Sequence, residues 1–185
     1  SENDKKIFYK YLDKETVYFE YGSGGSTNQA SIRKNIKTIY SVESDISWQK
    51  KLKQIITHPN LNYIYNNMDT KPKSWGRPGK NATNIQKINY SNHITKLSKE
   101  EQDSIDIVLI DGRFRVACCL KCYDVIKDDC LIAFDDFLNR RHYHIVLKYF
   151  DIIEKTPDNR MVILKKKKNV NIPKEIIEKY ELIQD

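Results

Sequence analysis

Val17-Tyr18-Phe19-Glu20-Tyr21-Gly22-Ser23-Gly24-Gly25-Ser26-Thr27 carries a β-prone run to an acidic residue and then straight into a glycine-rich turn. Gly22, Gly24 and Gly25 give the backbone freedom that a Cβ would remove, and they let a ligand approach the main chain closely. A turn of this kind after a strand forms the floor of a nucleotide-type cofactor site. The neighbouring residues narrow the choice. A Walker A loop needs a Lys after its last glycine, and Ser26 stands there instead. The dinucleotide fingerprint fits poorly too, because Thr27 occupies the place of its third glycine. The plain alternative is a tight turn between a strand and a helix.

At 185 residues and 21.9 kDa, the chain is expected to form one domain, 1–185, with a core over about 16–165. Its 39% hydrophobic and 31% charged residues suit a soluble globular protein and exclude a membrane-spanning one. The polar start, 1–6, contains no secretory signal, so the expected location is cytoplasmic; the initial Ser also fits an excised piece of a longer protein. Cys118, Cys119, Cys122 and Cys130 cluster in or near one apolar segment. Cys119 and Cys122 have zinc-like spacing but no second pair, so the four read as small buried hydrophobes in a reducing compartment. The net charge of +7 owes much to Lys165-Lys166-Lys167-Lys168, a run that suits phosphates, nucleic acid or simply a solvated strand end.

Outward from the glycine turn, strands and helices alternate. Ile7, Phe8, Tyr11 and Leu12 have helical spacing. Strands are expected at 16–20, 38–42, 61–65, 105–110, 130–134, 150–156 and 161–165. Helices are expected at 27–35 (capped by Ser26 or Thr27), 47–56, 90–97, 115–126, 140–147 and 173–182. Segment 66–90 reads as a long loop, longer than ordinary connections and therefore a place for function. The run Ile105-Asp106-Ile107-Val108-Leu109-Ile110 is the strongest strand and should be buried on both faces. Pro157-Asp158-Asn159 marks a hairpin. The pattern predicts an α/β, Rossmann-like fold: a mostly parallel seven-stranded sheet with an antiparallel C-terminal hairpin strand and helices on both faces. Residues 166–185 hold the basic run and a last helix.

An acidic strand end followed by Gly-x-Gly, at Glu20, Gly22 and Gly24, resembles motif I of the class I S-adenosylmethionine (SAM) methyltransferases. The resemblance covers roughly 16–165 and implies SAM as cofactor, held by Glu20, Gly22, Ser23, Gly24, Ser26 and Thr27. Glu43 ends the next strand roughly twenty positions beyond Gly22, where a carboxylate can accept both hydrogen bonds of a ribose diol. The same resemblance assigns Asn67 and Asp69, after the third strand, to the adenine edge. Trp75, in the long loop, can stack on adenine, close over substrate or serve as an aromatic anchor.

Asp111 follows the buried strand, and Asp135-Asp136 follows the next one. Adjacent strands should bring the three carboxylates together, and their repulsion calls for a cation or for protons. Oxygen-only ligands favour Mg²⁺ or a similar divalent ion. In this the chain resembles the metal-dependent small-molecule and sugar O-methyltransferases, which implies Asp111, Asp135 and Asp136 as metal ligands and Asp111 beside the methyl donor. The alternative is that Asp135 or Asp136 caps a helix or pairs with Arg113, Arg140 or Arg141. Candidates for the base that deprotonates an acceptor hydroxyl are Asp111, Asp136, His142 and His144. The two histidines point roughly 200° apart on a helix, so at most one would face the site. Arg113 or Arg115 can instead bind an acidic sugar, a diphosphate or a nearby carboxylate.

The expected function is therefore SAM-dependent O-methylation of a sugar, nucleotide-sugar or other small polyhydroxylated acceptor in glycan synthesis. Two rivals stand beside it. The charge of +7 suggests a nucleic-acid (RNA) methyltransferase, although no Asn/Asp-Pro-Pro-Tyr motif is present. A non-catalytic binding or assembly module of the same fold is the other; a homo-oligomer is compatible with each reading.

Overall fold

The computed structural model describes residues 1–184. Seven strands form one sheet: β1 (Val17–Tyr21), β2 (Thr38–Glu43), β3 (Leu61–Tyr65), β4 (Ile107–Ile110), β5 (Leu131–Phe134), β6 (Phe150–Lys155) and β7 (Val162–Lys166). Their order is β3-β2-β1-β4-β5-β7-β6. β1 to β5 pair in parallel, and β7 runs antiparallel to both β5 and β6. This is the Rossmann-like sheet expected from the sequence, including the antiparallel strand of the closing hairpin.

Alternation along the strands builds two apolar layers. Phe19, Tyr21, Val108, Ile110, Ile132 and Phe134 face one side. There they meet α6 (Arg115–Cys122), a nearly all-buried helix. Tyr18, Ile39, Ile107, Leu109 and Ile163 face the other side, packed against Ile7, Phe8 and Leu12 of α1 (Glu2–Leu12) and Ala30 of α2 (Gly25–Ser31). The four cysteines are free and buried, and burial pushes the thiols of Cys119, Cys122 and Cys130 well up, as for inert core residues.

Local differences from the sequence reading have physical causes. Gly24, not Ser26 or Thr27, is the N-cap of α2; both hydroxyls are turned under the turn, where they bond Glu20. Segment 66–90 is not all loop. α4 (Asn84–Ser91) begins inside it, started by a capping box in which Thr83 and Gln86 satisfy each other's backbone N–H groups. A similar box at Ser98 and Glu101 starts α5 (Lys99–Ser104), which the sequence reading omitted. The expected helix at 90–97 is only a short 3₁₀ turn, Ile94–Lys96. Two further helices complete the chain: α3 (Ile46–Ile55), capped by Asp45, and α7 (Lys174–Tyr180). The segment Arg141–Lys148 is 3₁₀ rather than α. No helix among the described residues is long and apolar enough to cross a membrane.

Candidate active site at the switch point of the sheet

The chain leaves β1 toward β2 and β3 on one side and returns to β4 on the other. The crevice at the carboxyl ends of β1 and β4 is thus the topological switch point, where open α/β sheets bind ligands. Gly22 sits there with φ +96°. A Cβ at this position would lie 3.0 Å from both the Cα and the N of Gly112. The turn after β1 and the segment after β4 therefore touch, and a side chain at Gly22 would force them apart. At Gly24 and Gly25 a Cβ would meet nothing within 4 Å, so the next part of the turn faces open space.

Glu20 lies beneath the turn. It is fully buried and accepts hydrogen bonds from the hydroxyls of Tyr18 (2.7 Å), Ser26 (2.5 Å), Ser41 (2.6 Å) and Thr27. Burial pushes its carboxyl pKa up, and the four hydroxyls oppose that. The sequence reading had Glu20, Ser26 and Thr27 facing a cofactor. Their hydrogen bonds instead make them a brace that holds the glycine turn from below. Thr27 also accepts the N–H of Gly24 (2.8 Å), which fixes the open part of the turn.

Glu43, at the end of β2, is buried beside the turn. Its carboxylate accepts the backbone N–H groups of Ser44 and Asp45 (2.7 Å each) and of Ser23 (3.3 Å). Burial raises its pKa, with those N–H groups opposing. Ser23 is thereby tied to Glu43, and its carbonyl also accepts the indole N–H of Trp48 (2.8 Å). Trp48 was not singled out from sequence, since nothing in its spacing marks it. Asn67 is exposed after β3 and its side-chain oxygen accepts the Asp69 N–H (3.0 Å). Asp69, at φ +53°, uses its carboxylate to accept the Asn81 N–H (3.2 Å). Asp69 thus closes the base of the long loop, a different task from the expected adenine contact. His93, also unremarked in sequence, pins the loop's root through Asn66 (2.9 Å); burial lowers its pKa to about 4, so it is neutral.

Asp111, Asp135 and Asp136 do converge at the ends of β4 and β5. Their counter-charge is arginine. Arg115, with a side chain only 5% exposed, lies 3.1 Å from Asp111 Oδ1, 3.7 Å from Asp136 Oδ2 and 3.9 Å from Asp135 Oδ2. Arg160 comes in from the closing hairpin and reaches both oxygens of Asp135 (3.3 and 3.2 Å) and Asp136 Oδ1 (3.1 Å). Arg140 donates to Asp136 Oδ2 at 2.9 Å. No group of three His, Cys, Asp or Glu stands in a metal-holding arrangement among the described residues. The carboxylate oxygens that a divalent ion would need are engaged by guanidinium groups, so the trio does not fit the Mg²⁺ site expected of Asp111, Asp135 and Asp136.

Within the trio Asp111 differs from the others. Asp135 and Asp136 have side chains 8% and 24% exposed, whereas water reaches 47% of Asp111. The surrounding protein still pushes the Asp111 pKa up to about 7; Arg115 opposes this, and Asp135 and Asp136 add to it. Asp136, in the left-handed region at φ +56°, is held by its arginines. His142 is exposed and its ring meets Tyr143. His144 stacks on Phe137 at 5.4 Å, and its Nε2 is buried with no hydrogen-bond partner. Among the described residues, no hydrogen bond or ion pair joins His144 to Asp111.

No protein-family model and no curated protein matches the sequence. Solved structures do. A methyltransferase-like protein from Silicibacter pomeroyi is 25% identical, with a TM-score of 0.81 over 96% of this chain and 91% of that one. A TehB-like SAM-dependent methyltransferase from Corynebacterium glutamicum is 9% identical, with a TM-score of 0.54 over 89% and 88% of the two chains. An rRNA methylase from Streptococcus thermophilus is 12% identical, with a TM-score of 0.50 over 86% and 94%. The chain has the Rossmann-like fold of the SAM-dependent methyltransferases.

Proposed function

We propose that the chain is a SAM-dependent methyltransferase acting on a hydroxyl of a sugar or other small polyhydroxylated acceptor, within glycan synthesis. The observation that carries this reading is the meeting of Gly22 with Asp111-Gly112 at the switch point, beside Glu43 and below open space at Gly24 and Gly25. A cofactor that lies along bare main chain and offers a ribose diol fits that cradle. SAM, when bound, supplies a methyl group already activated by its sulfonium.

The chain's own part is then to bind, orient and move one proton. Gly22, Ser23 and Gly24 offer backbone against the donor, and Glu43 keeps lone pairs for the ribose. Asp111 stands at the boundary between buried charge and solvent. Its pKa, pushed up to about 7, lies close to neutral pH, which suits a general base. It accepts the proton of the acceptor hydroxyl as that oxygen takes up its new carbon, and Arg115, 3.1 Å away, keeps the carboxyl in place. Positioning supplies most of the remaining rate. The reading routes no step through a divalent ion.

Calorimetry with SAM and with its demethylated product, S-adenosylhomocysteine, tests the donor half. Both should bind one to one. If neither binds, the methyltransferase reading fails. The acceptor half is tested by release of S-adenosylhomocysteine across a panel of sugars and nucleotide-sugars. Turnover on RNA but on none of these would replace the O-directed reading.

A further inference from the structure

The loop that follows β3 has a composition unlike the rest of the surface. Thr70-Lys71-Pro72-Lys73-Ser74-Trp75-Gly76-Arg77-Pro78-Gly79-Lys80 holds four cations and no acidic residue. Among the described residues, none of the four side chains makes a hydrogen bond or an ion pair. The two middle lysines of the four-lysine run behave differently. Lys166 donates to the Ile126 carbonyl and pairs with Asp128; Lys167 donates to the Leu147 carbonyl and pairs with Asp151. Four cations without partners repel one another, so the loop is arranged for a charge that comes from outside.

Three of the cations also line a hollow. Lys71, Ser74, Arg77, Pro78, Gly79 and Lys80 line a pocket of about 200 Å³. That volume suits a phosphate or diphosphate. The loop is anchored over the active edge: Gly79 donates to the Met68 carbonyl (2.8 Å), and Ser44, beside Glu43, donates to the Gly76 carbonyl (3.1 Å). A Cβ built on Gly76 would lie 3.7 Å from Cγ of Arg113, in the segment after β4. Trp75, 85% exposed, stands between Lys73 and Arg77 as a flat face on which a base can stack.

SAM carries no phosphate, so the loop is not built for the donor. We infer that loop 70–80 is a phosphate-binding clamp and that the acceptor is a small molecule carrying a nucleoside diphosphate, with Trp75 against its base. The inference rests on the methyltransferase reading for the word acceptor; the phosphate site itself stands on the loop. A compact anion is favoured over a long nucleic acid by the sheet register. Lys165 pairs with Leu131, the first residue of β5, so the four-lysine run lies at the opposite edge from the glycine turn and the two basic regions form no continuous track.

The test is calorimetric titration of the intact protein with uridine diphosphate, inorganic pyrophosphate and a single-stranded RNA dodecamer, each with and without S-adenosylhomocysteine. Uridine diphosphate should bind with Kd on the order of 0.1 mM, and pyrophosphate should compete. Changing Lys71→Ala, Arg77→Ala and Lys80→Ala together, at exposed loop positions, should weaken it at least about tenfold. S-adenosylhomocysteine affinity should not change in that variant. Unchanged uridine diphosphate affinity in the variant, or no diphosphate binding by protein that takes S-adenosylhomocysteine, overturns the clamp. Tighter, steeply salt-dependent RNA binding that the variant loses overturns it in favour of nucleic acid. Loss of S-adenosylhomocysteine binding with diphosphate binding intact removes the donor reading and leaves the phosphate site.

Discussion

Arg115→Met should cost the fold more than any other single change at the active edge, and the cost should depend on pH. The guanidinium is nearly fully buried. It donates to the carbonyls of Gly112 (3.0 Å), Asp135 (2.8 Å) and Asp111 (3.3 Å) while facing three carboxylates. Met preserves much of the volume but leaves those acceptors without a partner. Removing one member of a buried ion pair costs roughly 3–5 kcal/mol. In a domain of this size, where each kcal/mol moves Tm by about 2–4 °C, that is a drop of roughly 6–20 °C. The pH dependence follows from Asp111. Arg115 lowers the Asp111 pKa against burial, so without it the folded-state value climbs further above about 7, while the ordinary value is 3.8. A carboxyl that binds its proton more tightly when folded makes stability fall as pH rises, from the ordinary carboxylate range up through the folded pKa. Urea denaturation of wild type and variant at pH 5.5 and pH 8 should therefore show a smaller deficit at the lower pH. Adding Asp111→Asn to the variant should recover part of the loss at pH 8. A deficit below about 1 kcal/mol, the size of an exposed pair, or one that is the same at both pH values, would refute the view that Arg115 is the counter-ion of the trio.

Three further outcomes are expected. Gly22→Ala places a Cβ 3.0 Å from Gly112 at a φ that side chains resist, so it should cost about 1–3 kcal/mol and abolish S-adenosylhomocysteine binding; wild-type affinity by calorimetry would contradict the switch-point site. Glu43→Ala frees the N–H groups of Ser23, Ser44 and Asp45 and should weaken S-adenosylhomocysteine at least about tenfold; an unchanged Kd would remove Glu43 from the cofactor site. Asp111→Asn should lower methyl transfer at least about 100-fold with Tm retained, while wild-type kcat/KM rises with pH to a plateau above about 7, the value to which its surroundings push the carboxyl; full activity in this variant would leave the proton without its acceptor.

β2, β4 and β5 were legible because each is a largely buried run closed by an acidic residue at the sheet edge, Glu43, Asp111 and Asp135. The run 61–65 is β3 itself, and β4 begins at Ile107 rather than 105, because Ile105 is the C-cap of α5; Asp106 turns its carboxylate to the N–H groups of Thr16 and Val17. Between 84 and 104 only a helix at 90–97 was expected, where the chain forms α4, a 3₁₀ turn and α5; the Thr83–Gln86 and Ser98–Glu101 pairs are local capping signals, but sparse apolar residues hid the period. The convergence of Asp111 with Asp135 and Asp136 follows from strand order and was foreseen. The partners were harder. Arg140 lies four positions beyond Asp136 in a turn and was among the residues named as its possible counter-ion, but Arg160 arrives through the β6–β7 hairpin. No local spacing announces a pairing made across a hairpin. Glu20 misled for the opposite reason: its place in a motif suggested a ligand, whereas burial among four hydroxyls makes it a support.

Charge at the active edge is sorted by sign, and the sorting links the two proposals. Glu43 and Asp111 stand at the ends of β2 and β4, level with the glycine turn; both have pKa values raised foremost by burial, so each gains from a nearby positive charge. The unpaired cations belong to the loop anchored on Ser44 and Met68. A sulfonium donor is a cation and an acceptor diphosphate is an anion. On the proposed reading each substrate therefore meets its opposite charge, and the wrong substrate in either place meets repulsion. A positive donor near Asp111 would also lower that carboxyl's pKa, so donor binding should release a fraction of a proton near pH 7. Calorimetry of S-adenosylmethionine binding in buffers of different ionisation enthalpy reads that proton directly. Release that persists in Asp111→Asn would assign the coupling to another group and break the link between donor charge and base.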